Sequence, residues 1–174
     1  ALQPPTKGKN YQEFSKARKS LETLIDGRIE YDEKHRKWFF KKGNSRFALG
    51  ATAEGIKKIA ILDTLLGNRY LDTNSIIFID EPEAALHPQA ISAFLKIIHL
   101  LSQTGIQIFM ATHSYFVIKK MFLIAQENNL SVPTAFSDQN KWFFSDLKDE
   151  MPDNSIIRES INLYKQEVEL QLKK

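Results

Sequence analysis

Two short apolar runs, each ending in polar residues, constrain the fold of this chain more than any other feature of its sequence. The first is Ile76–Ile79, followed at once by Asp80 and Glu81. The second is Ile106–Ala111, followed by Thr112-His113-Ser114. Such short apolar runs are typical of strands that are covered on both faces in a parallel sheet. Since one helix fits between them, the sequence predicts a βαβ unit whose two strands end at the same edge.

Helical periodicity surrounds these strands. Apolar residues at helical spacing predict helices over Tyr11–Asp26, from about Ile56 to Gly67-Asn68, and over Pro88–Gln103, Tyr115–Asn128 and Ser155–Leu172. Gly27 stands where the C-cap of the first helix is expected. The segment that contains Trp142-Phe143-Phe144 is predicted to be a polar linker. In the third helix the apolar residues expected to face inward are Ile91, Phe94, Leu95, Ile98 and Leu101.

A small antiparallel β unit is predicted near the N-terminus from alternation at Arg28–Asp32, Lys37–Lys41 and Arg46–Leu49. The predicted fold class is therefore α/β, a parallel sheet flanked by helices with a small N-terminal β hairpin. Residues 1–10, rich in Pro, Gly and Lys, are expected to be a flexible lead. Residues 11–174 are expected to form a single domain.

Composition limits the classes of partner and compartment. With no cysteine among 174 residues, a disulfide framework and a thiolate metal site are excluded. No apolar run approaches the ~20 residues of a membrane span, and a cytoplasmic location is expected. The net charge is +3, with basic clusters at Lys16–Lys19, Lys34–Lys42 and Lys57–Lys58. Such clusters leave DNA open as a partner, although they are usually solvated surfaces.

The polar residues at the two strand ends are placed for phosphate chemistry, because ligands of open α/β sheets bind beyond the carboxyl ends of the strands. Asp80 suits Mg²⁺, which takes one or two protein oxygens and keeps most of its waters. Glu81 reaches further and could orient or deprotonate a water that attacks a phosphate. His113 could hold the γ-phosphate or that water. The structural alternatives are a strand-end cap or salt bridge for the two acids and a satisfied half-buried histidine for His113.

These residues resemble the motifs of ABC-type ATPases. Asp80-Glu81-Pro82 is similar to the Walker B aspartate and the catalytic glutamate, Leu86-His87-Pro88 to the D-loop region, and Ala111-Thr112-His113-Ser114 to the switch histidine. The segment from Asp80 to Pro88 is similar to the prokaryotic AAA-type predicted ATPases related to RecF, the SMC heads and the overcoming-lysogenization-defect nucleases. The resemblance covers about residues 47–125. It implies ATP and Mg²⁺ as ligands and a homodimer of heads.

The resemblance also implies a signature loop at Thr52-Ala53-Glu54-Gly55-Ile56-Lys57-Lys58. In relatives this loop contacts the γ-phosphate bound by the opposite subunit, which makes Ala53, Glu54, Gly55 and Lys57 candidate nucleotide-binding residues. Backbone N–H groups at a helix N-terminus favour an anion, and Gly55 allows close approach. Three departures weaken the match: Ala53 replaces the expected serine, Glu54 adds negative charge, and His87 replaces the D-loop aspartate. An ordinary capped amphipathic helix is the alternative.

No Gly-x-x-x-x-Gly-Lys-Ser/Thr sequence occurs in the chain. The resemblance places that phosphate-binding loop in an N-terminal lobe, so we expect the lobe to lie upstream of Ala1 and the isolated chain to be inactive as an ATPase. Two other functions remain open. One is a scaffold module of the same fold that binds nucleotide or protein without hydrolysis, and the other is an unrelated metal-dependent phosphohydrolase of the α/β class.

Overall fold

A computed structural model describes residues 12–68 and 70–173, so the predicted flexible lead lies outside the described residues. These residues form two compact units, one ending at Ala111 and one beginning at Thr112. The elements of the first unit are α1 (Gln12–Ile25), β1 (Arg28–Asp32), β2 (Lys37–Lys42), β3 (Ser45–Ala48), α2 (Glu54–Gly67), β4 (Ile76–Asp80), α3 (Pro88–Ser102) and β5 (Gln107–Ala111). The elements of the second unit are α4 (Tyr115–Asn128), β6 (Pro133–Asp138), β7 (Lys141–Asp146) and α5 (Ser155–Leu172). The predicted helices are confirmed to within about two residues.

The core of the first unit lies between α1, α2 and α3. Its buried members are Phe14, Ala17, Leu21, Ile59, Leu62, Leu66, Phe94, Ile97, Ile98, Leu101 and Ile106. All five residues of α3 that were predicted to face inward are buried. A bidentate ion pair joins α1 to α2, with Arg18 Nε 2.8 Å from Asp63 Oδ1 and Arg18 Nη2 3.3 Å from Asp63 Oδ2. Apolar spacing therefore specified the packed faces of these helices.

The end of α1 differs from the predicted cap. Asp26 has the left-handed backbone conformation, with φ of 49°, and the N–H of Gly27 donates to the Glu22 carbonyl at 3.1 Å. This is the Schellman arrangement, one residue earlier than predicted. Gly27 is required for a different reason. A Cβ there would lie 2.4 Å from Cε2 of Phe40, so only glycine lets α1 run directly into β1 beneath the β2 strand.

The predicted N-terminal β unit is confirmed. The three strands form an antiparallel sheet in the order β1-β2-β3, with Ile29 opposite Phe40 and Phe40 opposite Phe47. Phe40 is buried with Leu49 and Ala60 in a second, smaller core. The outer face of the sheet is charged, and Arg46 lies 3.9 Å above the Phe39 ring. Alternation of apolar and charged residues thus gave one packed and one solvated face.

The predicted parallel pair is also confirmed, since β4 and β5 pair in register from Ile76↔Gln107 to Asp80↔Ala111. The expectation that both faces of these strands are covered is wrong. One face, which includes Ile77 and Ile79, packs on the core. The other leaves Phe78 77% and Phe109 54% exposed, and their rings stack with centroids 5.1 Å apart. An apolar run predicts the strand but does not show whether a second layer covers it.

The second unit is built from two helices and a β-hairpin. The hairpin lies where the sequence predicts a polar linker. Strands β6 and β7 pair antiparallel from Pro133↔Asp146 to Asp138↔Lys141. The two loop residues, Gln139 and Asn140, have φ of 47° and 61°, which is the type I′ geometry that matches strand twist. The linker prediction is therefore wrong. Alternation in Pro133–Asp138 followed by Gln-Asn was the available signal.

Side-chain hydrogen bonds organise the second unit. Gln126 of α4 donates to the carbonyls of Leu147 at 3.1 Å and Lys148 at 2.6 Å. Helix α5 begins with the Asn154 side chain accepting from the Ile157 N–H at 3.0 Å, a regular N-cap. Among the helices within the described ranges, none is both long enough and apolar enough to cross a membrane.

Candidate functional site

The candidate site is the end of β4, where Asp80 and Glu81 are both exposed. Asp80 closes the parallel pair opposite Ala111, and the N–H of Glu81 donates to the Ala111 carbonyl at 2.9 Å. Beyond that bond the chain turns sharply, because Glu81 has φ of 45°. A left-handed conformation costs a residue with a Cβ roughly 1–2 kcal/mol. Such strain is concentrated at functional sites and persists only where surrounding contacts enforce it.

The loop that follows Glu81 is a double turn. The N–H of Ala84 donates to the Glu81 carbonyl at 3.0 Å, and the N–H of Leu86 donates to the Glu83 carbonyl at 3.1 Å. Ala85 is a second left-handed residue, with φ of 61°. Pro82 is fully buried within the loop. Two turn hydrogen bonds and a buried proline therefore order the loop that begins at Glu81.

The first turns of α2 lie against this loop. A Cβ on Gly55 would lie 2.6 Å from the Ala85 carbonyl oxygen and 2.7 Å from Cδ2 of Leu86, so only glycine permits this approach. One turn further along α2, Nζ of Lys58 donates to the Glu81 carbonyl at 2.5 Å. The structure thus brings the predicted signature loop together with the loop that follows Asp80 and Glu81.

The other residues of the predicted signature loop differ in their local contacts. Ala53 is the N-cap of α2 and makes no side-chain capping bond. Thr52, its neighbour, uses its hydroxyl to donate to the Leu49 carbonyl at 2.7 Å. Lys57 forms an ion pair with Glu54, Nζ to Oε1 2.6 Å. The negative charge of Glu54, a departure from the family pattern, is therefore balanced within the same helical turn.

His87, in the predicted D-loop region, has a structural role. It is the N-cap of α3, and its Nδ1 accepts from the Gln89 N–H at 3.3 Å. Pro88 follows at the first helical position, where its missing N–H has no cost. His87 therefore performs the capping role that an aspartate performs equally well at the same position.

His113 belongs to the second unit. It lies between Ala111 and the start of α4 at Tyr115, and it is exposed. The Thr112 hydroxyl on one side of it accepts from the Ser114 N–H at 3.0 Å, so a local turn leads into α4. The alternative of a half-buried histidine is wrong for this residue.

The donor set at the end of β4 fits magnesium and excludes a closed metal cage. Within residues 12–68 and 70–173, no cluster of three or more histidine, aspartate or glutamate side chains could hold a metal ion. Magnesium does not need such a cluster, because it binds through one or two carboxylates and retains several waters. The exposed Asp80 carboxylate, with that of Glu81 adjacent, matches this requirement.

Sequence reasoning missed Lys58 and the strained backbone of Glu81. Lys58 was included in a basic pair and at the end of the predicted signature loop without a role, and its partner is 23 residues away in sequence. A left-handed glutamate has no sequence signal, because glycine or asparagine is the usual residue for that conformation.

Comparisons with known proteins agree with this architecture. Residues 2–119 match the family described as "AAA domain, putative AbiEii toxin, Type IV TA system". The Old nuclease of Escherichia phage P2 is 48% identical over 42 residues, which make up 24% of this chain and 7% of that protein. The chain therefore spans only a small part of that curated relative.

A solved structure from work on the ATP-driven dimerisation and DNA-stimulated activation of SMC ATPases has the same fold. It superposes with a TM-score of 0.53 at 12% identity, covering 88% of this chain and 92% of that one. The family match extends over more than half of the chain and includes β4, its following loop and β5. The chain belongs to this AAA domain family and has the P-loop NTPase-like α/β fold of the AAA/ABC-type ATPases related to SMC and Old proteins.

Proposed function

We propose that this chain is the part of an ATP-hydrolysing head that holds Mg²⁺ and activates the attacking water. The observation that carries the proposal is the Asp80-Glu81 pair at the end of β4, where a strained backbone and a fixed loop present both carboxylates to solvent. The family match supports ATP as the substrate class. Asp80 and Glu81 both lie in the first unit.

Each side chain has a separate task in this proposal. Asp80 holds the ion, which when bound supplies neutralisation of phosphate charge. Glu81 accepts a proton from the water that attacks the γ-phosphorus while the bond to the β,γ-bridging oxygen breaks. The N-terminal turn of α2, with Ala53, Glu54, Gly55 and Lys57, faces the phosphate of an opposite head. His113 contacts the γ-phosphate, a role supported by the sequence pattern of Ala111–Ser114.

Further parts of the proposal concern partners outside these residues. Because the sequence has no Gly-x-x-x-x-Gly-Lys-Ser/Thr loop, the cradle for the β- and γ-phosphates comes from a separate lobe. Two heads form a homodimer around ATP, and DNA is a further candidate partner. The predicted cytoplasmic location stays a prediction. The purified 174-residue chain is expected to show no Mg²⁺-dependent ATP turnover.

The deciding experiment is Glu81→Gln in the full-length protein, which keeps the size of the side chain and removes its basicity. We expect ATP turnover to fall about 100-fold or more, while ATP still binds and an ATP-bound dimer accumulates. Glu22→Gln is the matched control, since Glu22 is an exposed glutamate of α1 away from the loop. It should leave turnover unchanged.

A scaffold module would give a different result. Ala53 caps α2 without a hydroxyl, which favours weakened contact with a phosphate and makes this the second candidate function. In that case the full-length protein would bind nucleotide, the wild type would not turn it over, and Glu81→Gln would change nothing. Measurable turnover by the isolated 174-residue chain would contradict the need for a separate phosphate-binding lobe.

A further inference from the structure

Lys58 makes a contact to the candidate site, and neither the motifs nor the family match assigns a role to this residue. Its ammonium donates to the backbone carbonyl of Glu81, with Nζ and O 2.5 Å apart. We propose that Lys58 is a positioning residue that holds Glu81 in its left-handed conformation and so aims the carboxylate. This inference rests on the proposed function, because it concerns the same glutamate.

Hydrogen bonds fix both peptide groups that flank the Glu81 α-carbon. On one side, the Glu81 N–H donates to the Ala111 carbonyl at 2.9 Å; on the other, the Glu81 carbonyl accepts from the Ala84 N–H at 3.0 Å and from Lys58. Fixing the two peptide planes sets φ and ψ of Glu81, and the direction of its Cα–Cβ bond follows. The Lys58 bond is the charge-assisted one and hence the strongest of the three.

A second contact between α2 and the loop fixes the position of Lys58 relative to Glu81. Gly55 and Lys58 are three residues apart on α2 and therefore lie on the same helix face. Gly55 packs on Ala85 and Leu86 at the far end of the loop, while Lys58 binds Glu81 at its beginning. The loop is thus held at both ends by a single helical turn. Movement of the α2 N-terminus must then move the glutamate.

This arrangement distinguishes Lys58 from Lys57. Lys57 is paired with Glu54 on its own helix, whereas Lys58 reaches a residue of the loop that carries the proposed chemistry. A cation that bound phosphate directly would affect the affinity for ATP. A cation that positions Glu81 should affect the rate of the chemical step and leave the affinity nearly unchanged.

The test uses three variants of the full-length protein: Lys58→Met, Lys58→Arg and the control Lys96→Met. Lys96 is an exposed lysine of α3. In Lys58→Met we expect kcat to fall about tenfold, since small misplacements of a catalytic group cost this much or more, with KM for ATP changed less than about twofold. Lys58→Arg, which keeps the charge and a donor, should recover most of kcat. Lys96→Met should match the wild type.

Hydrogen exchange provides a readout that does not need turnover. Amides of the peptide covering residues 79–86 should exchange faster in Lys58→Met than in the wild type, Lys58→Arg or Lys96→Met. Unchanged exchange, unchanged kcat, or a loss expressed in KM alone would each overturn the proposal. If the wild type shows no ATP turnover, the proposed function fails together with the catalytic role of Lys58, and faster exchange in Lys58→Met would then show only that Lys58 holds the loop.

Discussion

The helical core of the first unit and the hairpin of the second unit use their aromatic residues in opposite ways. In the first unit Phe14 and Phe94 are 1% and 2% exposed and lie at the centre of the three-helix core. In the second unit Trp142 and Phe144 of the hairpin are 68% and 79% exposed. The same residue type therefore lies in the core in one of these regions and at the surface in the other, and the first unit itself contains both cases, since Phe78 on its sheet is 77% exposed. What differs is whether neighbouring elements supply a facing layer.

The prediction with the largest expected effect compares the loss of a buried ring with the loss of an exposed one. Phe94→Ala removes a fully buried ring and should lower the free energy of unfolding by about 3–5 kcal/mol, because transfer and cavity terms add. Phe144→Ala, the matched change at an exposed ring, should cost less than about 0.5 kcal/mol. Urea denaturation followed by far-UV circular dichroism measures both. Equal losses would show that the Phe144 ring is buried in solution and would break the comparison.

The next effect compares two ion pairs. Arg18 and Asp63 have side chains 23% and 7% exposed, whereas Arg158 and Asp138 are 47% and 27% exposed. Asp63→Ala removes the bidentate partner of a half-buried guanidinium and should cost about 3 kcal/mol, near the lower end for a broken buried pair.

Asp138→Ala is the control for that change, and it should alter stability little, because exposed pairs contribute little. The same denaturation experiment measures it. A large loss for Asp138→Ala alongside a small loss for Asp63→Ala would reverse the assignment of the two pairs as buried and exposed.

Helix α3 shows how much of the fold was predictable. Its five predicted inward residues are all buried, since apolar spacing at 3.6 residues is itself the record of a packed face. Phe78 shows the limit. Its neighbours in sequence predicted a strand, but whether a second layer covers the strand is a tertiary property that residues 76–80 do not contain. The hairpin loop at Gln139-Asn140 was missed because its turn residues are less typical than Asn-Gly.

The candidate site also has some features that could be predicted from the sequence and others that could not. Asp80 and Glu81 were predictable, because an apolar run with acids directly after it determines where a strand ends. The left-handed Glu81 and its bond to Lys58 were not predictable. Both depend on how α2 packs against a loop more than twenty residues later in the chain, a distance over which periodicity carries no information. Motifs thus predicted candidate ligand-binding residues, and the structure shows the contacts around them.

The smallest expected effect concerns Asp146, whose hydrogen bonds hold the second unit together. The first unit is held together by its apolar core instead. The Ser131 hydroxyl, then the Lys148 N–H and the Val132 N–H, hold the pKa of Asp146 below its ordinary value of 3.8. The pKa is lower in the folded state than in the unfolded state. These bonds therefore stabilise the fold above about pH 3.8, and this stabilisation is lost as the pH falls through the pKa of the folded state.

An NMR titration of the Val132 and Lys148 amide signals measures this. Both amides donate to Oδ1 of Asp146 at 2.8 Å, so their shifts should change together with a midpoint below 3.8, the ordinary value of the pKa. Asp146→Asn keeps an acceptor oxygen and removes the titration, so its amide shifts should stay flat over the same range. A midpoint at or above the ordinary value would mean that the three bonds do not form together in solution. In that case the second unit would lack the polar contacts that compensate for its small apolar core. Its exposed aromatic residues would then be the first place to look for an element that covers them.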